Sequence, residues 1–292
     1  MTYQRQKALT GYLFLLPFGL AFFGFLLLPI FVAGGLSVMQ FDLTSKETTH
    51  FVGLQNYQEV FKDEYFWKAL VATARYVIWM VPCVLVTSLG IALGLNAMSR
   101  GRNMVRALIF IPGMFTIAVT AIIWQWFYNL EFGFFNFVLK KFHHDPVPWL
   151  SDKTLAMPSI VMMALWWTAG GTSIIILTSL QQIPKMYFEA ASLDGANVWQ
   201  MFRKVTFPLL KPVLLFVILT STIAAFQMFP QASLLTSGGP ELSTRGVVQY
   251  IYETAFNNYR LGYAASISWV LAAITMLFGM IQFGVMRRNT HV

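Results

Sequence analysis

Six long apolar stretches dictate what this chain can become. They lie at about 11–36, 70–97, 107–128, 155–180, 213–232 and 264–286. A helix rises 1.5 Å per residue and bilayer hydrocarbon is about 30 Å thick, so roughly 20 apolar residues make one spanning helix. The stretches are continuous instead of alternating in polarity, which excludes the strands of a membrane β-barrel. The first follows Arg5 and Lys7 as a signal peptide would. It is too long for a signal h-region and no small-residue cleavage site follows, so it reads as a retained helix. The expected fold is all-α: a polytopic membrane protein with six transmembrane helices in one domain over residues 1–292.

Composition agrees. The chain is 57% hydrophobic and 11% charged, against about 25% charged in soluble domains. Its lone cysteine, Cys83, excludes an intrachain disulfide framework and a Cys-based metal cluster. The net charge of +8 is a topology signal and not a nucleic-acid footprint. With the N-terminus inside, the inner segments 1–12, 98–106, 181–212 and 287–292 hold 11 Lys/Arg in 59 residues. The outer segments hold 8 in 87, which is the positive-inside bias. Only Glu189 and Asp194 among the twelve acids lie inside, and Arg75 alone among charged residues sits within a span. Both termini are therefore expected in the cytoplasm. Prolines recur within or beside the spans (Pro17, Pro29, Pro82, Pro112, Pro158, Pro212, Pro230), each removing a backbone donor.

The loop at 181–212 has its own local logic. Pro184 suits the start of a short helix, and Gly195 can take the left-handed conformation that ends it. Asn197 with Gln200 three residues on is a capping-box start for a second helix, which Pro208 is expected to stop or kink. Met186, Tyr187, Phe188, Leu193, Val198, Trp199, Met201 and Phe202 are apolar where water should be. They fit either packing beneath the membrane helices or docking into the groove of a cytoplasmic partner.

The pattern Glu189-Ala190-Ala191-x-x-Asp194-Gly195-Ala196, then Phe202, Val205-x-Phe207-Pro208 and Pro212, resembles the EAA motif of permease subunits in bacterial binding-protein-dependent ABC importers. Val205 and Phe207 are conservative departures from the usual Ile and Leu. The resemblance implies a type I ABC importer permease whose cytoplasmic coupling helix sits in a cleft of the ATPase subunit. Glu189 would face the ATPase and Gly195 would make the turn, with Ala190, Ala191, Asp194, Phe202 and Pro208 completing the coupling set. Phe51-Val52-Gly53-Leu54-Gln55-Asn56-Tyr57, Leu235-Thr236-Ser237-Gly238-Gly239-Pro240 and Gly262-Tyr263-Ala264-Ala265 resemble segments of the maltose/glycerol-phosphate-type carbohydrate uptake group. That likeness implies import of a sugar, a di- or oligosaccharide, with glycerol phosphate or another solute as the alternative. It also implies a bacterial inner-membrane location, a second permease subunit, two ATP-binding subunits and an extracytoplasmic solute-binding protein.

No Gly-x-x-x-x-Gly-Lys-[Ser/Thr] is present, so no phosphate-cradling loop is encoded. No cofactor is expected on this chain, and ATP and Mg belong to the partner ATPase subunits. Enzyme signatures are lacking, and His143-His144-Asp145 reads as a solvated loop before a metal site. An ion-coupled secondary transporter would want intramembrane carboxylates and an internal repeat, and neither is found. Gly170-Gly171 permits close helix approach or a break.

Sugars are held by aromatic faces with amides and hydroxyls. Spans three to five offer both, as Gln125, Trp167, Thr168, Ser221, Phe226 and Gln227. In the resembled family the site uses the helices before and after the EAA loop, and these six are the candidate pathway residues. The same groups also suit interhelical hydrogen bonds and interfacial aromatic belts. Arg75, about 10 Å into span two at 1.5 Å per residue, either snorkels to the outer interface or contacts a pathway or partner.

Overall fold

The computed structural model describes residues 3–42 and 49–288, with side chains over 11–42 and 49–284. Helix α1 (Tyr3–Phe22) passes through a π turn at Phe23–Leu27 into α2 (Leu28–Ser37). Together they give an apolar span, Gly11–Ser37, whose most apolar window is entirely unburied by protein. Backbone groups in lipid must bond internally, and an uninterrupted helix does that with its side chains facing acyl chains. A short antiparallel pair follows, β1 (Met39–Gln40) with β2 (His50–Phe51), and then α3 (Gln55–Lys62). This small ladder is an addition to an otherwise helical chain.

The chain gathers into two compact units, residues 1–63 with 251–272, and residues 64–250 with 273–292. The first is tied together by the Phe51–Tyr57 signature. Asn56 donates its amide to the Ser37 and Met39 carbonyls (2.9 and 3.0 Å), and the Tyr57 hydroxyl donates to Ser37 Oγ at 2.8 Å. The first of these bonds satisfies the Ser37 carbonyl at the end of α2, which would otherwise lack an intrahelical partner. Arg260 forms a two-pronged pair with Glu59, both bonds 2.8 Å, and the Tyr263 hydroxyl donates to Asp63 at 2.6 Å. Gly262 is required where it stands, because a Cβ there would strike the Met39 carbonyl oxygen.

The larger unit is built on α4 (Glu64–Ala97), which packs along α8 (Ala156–Gln181). Between them run α5 (Arg102–Phe110), a 3-10 turn at Ile111–Met114, α6 (Ile117–Tyr128) and α7 (Phe134–Lys141). After α8 come α9 (Lys185–Leu193), α10 (Val198–Met201), a π turn at Phe202–Thr206, and α11 (Phe207–Phe226). The chain ends in α12 (Pro230–Thr236), α13 (Val247–Tyr252) with a π turn at Glu253–Asn257, and α14 (Leu261–Arg288), of which residues 251–272 belong to the smaller unit.

Two apolar clusters hold this unit. One joins Ala92, Leu95, Ile176, Leu180, Leu210 and Leu214 near α9; the other joins Tyr76, Met80, Trp124, Ile160, Met163 and Met228 toward the opposite end. Buried polar groups are spent on bridging elements. Ser88 Oγ donates to the Ala169 carbonyl across α4 and α8 at 3.2 Å, and Thr73 Oγ1 accepts from the Val247 amide at 3.0 Å. The fully buried amide of Asn136 donates to the Asn129, Leu130 and Val147 carbonyls and accepts from Val147 N and Trp149 Nε1.

Three expected boundaries change. The stretch 107–128 is not one straight span: Arg102–Met114 and Ile117–Tyr128 meet at 99°. Pro112 denies an amide to the helix ladder, and Thr116 in extended conformation caps α6 by accepting from the Val119 amide. The helix that carries span five runs Val198–Phe226, so the apolar stretch 213–232 is helical without a break only as far as Phe226. It runs through Pro208, which neither stops nor breaks it, because Pro208 sits in the first turn of α11 where the preceding π turn has already reset the ladder. It ends at Phe226 because Gln227 caps the helix and Pro230 starts another. The segment 181–212 therefore holds α9, a short connection and the first turns of the helix that continues as span five.

Gly170 explains the packing of the bent pair. A Cβ there would strike the Ile109 carbonyl oxygen and lie 3.0 Å from its carbon, so α5 presses directly on α8. Gly170 of the glycine pair thus serves close approach, and α8 is unbroken.

Candidate functional site

Helix α9 stands apart, with no buried residue along its length. Pro184, extended at φ −60° and ψ 135°, is its N-cap residue, so the helix begins one position later than its sequence suggests. Gly195 ends it at φ +72°, a conformation open to glycine and costly for other residues. Asn197 then accepts from the Gln200 amide while Gln200 Oε1 accepts from the Asn197 amide, both at 2.9 Å, completing the capping box of α10. Leu193 (90% exposed) and Val198 (86% exposed) flank the turn between the two helices. Glu189, Ala190 and Asp194 are exposed, and Ala191 and Phe202 are half-buried. Phe202 stacks on Trp199 at 5.7 Å. Pro208 is exposed within the continuous helix.

From α10 that helix runs without interruption for 29 residues to Phe226. At its far end α4, α8, α11 and α12 enclose a cleft of about 290 Å³. Trp167, Thr168 and Thr172 line it from α8, Thr220 and Ser221 from α11, and Tyr76, Met80 and Val84 from α4, with Gln231 from α12. No lining residue carries a formal charge. Trp167 donates its indole N–H to the Phe115 carbonyl at 3.0 Å. That bond holds the break in the third span and leaves the indole's faces as its free surface. Thr168 donates to the Ala164 carbonyl at 2.8 Å and Thr172 to the Thr168 carbonyl at 3.2 Å, so their hydroxyls are partly committed to their own helix. Gln231 Oε1 is buried without a hydrogen-bond partner.

Three of the six pathway candidates, Trp167, Thr168 and Ser221, are thus brought together. The other three are placed elsewhere. Gln125 donates to the Leu234 carbonyl at 2.6 Å, bracing α12. Phe226 is buried against Phe278, ring centroids 5.3 Å apart. Gln227 caps α11 and lies exposed. Tyr76, Met80 and Val84 joined the lining unforeseen, although their four-residue spacing marks one helix face. Gln231 had no such signal, because it falls where helix and loop had been misdivided. Trp124 is core, in ring contact with Tyr128, Phe135 and Trp166, whereas Trp126 is exposed.

A polytopic helical chain with a polar–aromatic cleft and an unburied short helix between two long ones defines the class: a transport permease. The chain belongs to the family described as binding-protein-dependent transport system inner membrane component, which it matches over residues 77–289. It is 34% identical over 285 residues to the probable ABC transporter permease protein YesP of Bacillus subtilis, covering 96% of this chain and 91% of that one. It is 34% identical over 257 residues to the trehalose/maltose transport system permease protein MalF of Thermococcus litoralis, covering 88% and 85%. The fold matches a crystal structure of a bacterial alginate ABC transporter in complex with alginate pentasaccharide-bound periplasmic protein. That match has a TM-score of 0.86 at 21% identity, covering 98% of this chain and 97% of that one. The chain is a multi-pass inner-membrane permease of an ABC importer with the type I fold.

Proposed function

We propose that this chain carries an uncharged di- or oligosaccharide inward as one of two permease subunits of an ATP-driven importer. The observation that supports this most is that the two helices on either side of exposed α9, α8 and α11, both contribute to the lining of the cleft. Ser221 lies roughly 35 Å along one rigid helix from α10 at 1.5 Å per residue, so displacement at the docking end reaches the cleft as a lever. In this reading the termini and α9 are cytoplasmic, and two ATPase subunits bind from that side. Each seats one docking helix and carries ATP and Mg. Their closure rocks the permease halves and switches access, while an extracytoplasmic binding protein delivers solute. Glu189 and the apolar corner of Met186, Leu193 and Val198 meet the ATPase. Within the cleft the Trp167 ring offers a face to sugar C–H groups, and Ser221 and Gln231 offer hydroxyl and amide. The trehalose/maltose name of one relative is in keeping with this, and the uncharged lining favours a neutral sugar over glycerol phosphate.

The test is to purify the chain with the subunits that co-assemble and measure ATP hydrolysis across a panel of solute-loaded binding proteins. Stimulation by a neutral-sugar-loaded binding protein is expected. An absence of ATPase in the complex, or stimulation only by an anionic or non-sugar solute, would overturn the reading.

A further inference from the structure

A second cleft, of about 340 Å³, opens at the end of α4 remote from α9, and three of its lining residues are cations: Lys68, Arg75 and Lys153. At 100° per residue Arg75 and Lys68 lie on one side of α4, well away from the Tyr76, Met80 and Val84 face that lines the solute cleft. Arg75 therefore does not address the solute cleft. Lys153 is paired with Glu241 at 2.7 Å, and Lys68 lies 3.6 Å from Glu64. Among the described residues Arg75 pairs with no carboxylate. A second, independent feature points the same way. Ser243 also lines this cleft, is 8% exposed, and its Oγ is buried without a hydrogen-bond partner. Glu241 lines the cleft as well and takes up the charge of Lys153, so the lining keeps a net positive charge with the Arg75 guanidinium, the Lys68 ammonium and the Ser243 hydroxyl as donors for phosphate oxygens.

What lies beyond Arg75 says which phosphate. Trp79, Pro82 and Val86 follow it at three- and four-residue spacing, so they form one stripe on the same face of α4. All three are exposed, Trp79 at 53% and Val86 at 69%. A free anion has no use for such a stripe, whereas an acyl chain hanging from a headgroup would lie along it. Trp67, also in the lining and 46% exposed, adds the aromatic ring common at membrane–water boundaries. We infer that this cleft holds the phosphodiester headgroup of an anionic phospholipid, with one acyl chain against the Trp79–Val86 stripe. Arg75 is the anchor at the headgroup level, and its place within an apolar span is then explained.

Native mass spectrometry of the delipidated, fully assembled transporter tests this, with phosphatidylglycerol, phosphatidylethanolamine and inorganic phosphate as probes. Wild-type complex should retain phosphatidylglycerol in preference to phosphatidylethanolamine. Arg75→Ala should weaken that retention about fivefold, the effect of one interfacial cation, with Arg75→Lys restoring much of it. Ser243→Ala should weaken it without altering assembly. If Arg75→Ala fails to assemble, Lys153→Ala, at an exposed position, provides the reading. Unchanged phosphatidylglycerol retention in these variants would overturn the inference. So would displacement by equimolar inorganic phosphate, or loss of a partner subunit from Arg75→Ala with lipid retention intact.

Discussion

Gly170 and Gly171 are adjacent on α8 and offer an internal control on how the bent third span is held. A Cβ added at Gly170 strikes the Ile109 carbonyl oxygen and lies 3.0 Å from the Ile109 carbon and 3.3 Å from Phe110 Cα. These are backbone atoms and cannot rotate away, so α5 must move. A Cβ added at Gly171 meets nothing within 4 Å. Replacing glycine by alanine inside a helix contributes about 0.5–1 kcal/mol of stability, and that gain is common to both variants. Overpacking a close contact costs about 1–3 kcal/mol, and that term belongs to Gly170→Ala alone. The two variants should therefore differ by about 1–3 kcal/mol, with Gly171→Ala at or above wild type. Denaturant titration of the purified complex in detergent, followed by tryptophan fluorescence, measures the difference. Equal stabilities, or Gly171→Ala as the weaker, would refute the claim that α5 rests on α8 through Gly170.

Three further outcomes follow from the same structure. Asn136→Ala leaves three carbonyls, one amide and the Trp149 indole to find new partners, and should destabilise by about 3 kcal/mol or more, several bonds at about 1 kcal/mol each, in the same titration. In the cleft, Ser221→Ala should raise the solute concentration for half-maximal uptake about two- to tenfold, the value of one hydrogen bond. Thr168→Val should change it less, because that hydroxyl already donates to Ala164. Lys153, by hydrogen bond and then by charge, holds the Glu241 carboxyl below the usual carboxylate range. A depressed carboxyl contributes stability above its unfolded pKa and loses it as pH falls through its folded value. Amide protection around 237–246, relative to the intrinsic exchange rate at each pH, should therefore fall once pH drops below about 4.3, the ordinary glutamate value, and Glu241→Gln should flatten that dependence.

The membrane helices were legible because lipid imposes a length and polarity rule that few folds share. What hydropathy could not show was where the ladder bends. Ile111-Pro112-Gly113-Met114 carried the breaker of the third span, yet a window average over 107–128 stays apolar across it. Pro208 misled in the opposite direction: the π turn just ahead of it accommodates its missing amide, so the helix of the fifth span starts before its proline and ends before its apolar run does. That misplaced boundary hid Gln231, which lies on a helix of its own. The docking loop was read closely, since Gly195 and the Asn197–Gln200 box are local chemistry with local outcomes. Cleft residues were half legible, because a serine or tryptophan in a span is equally suited to a solute and to a neighbouring carbonyl. Trp167 serves the second purpose through its N–H.

The central claim is that α9 transmits the work of an ATPase partner to the cleft, and Glu189→Lys addresses it most directly. Glu189 is exposed on a helix with no buried residue, so its replacement should shift the fold by no more than about 0.5 kcal/mol. Binding-protein-stimulated ATP hydrolysis in membranes bearing the Glu189→Lys transporter should fall to the unstimulated level. Stimulation equal to wild type would contradict the account.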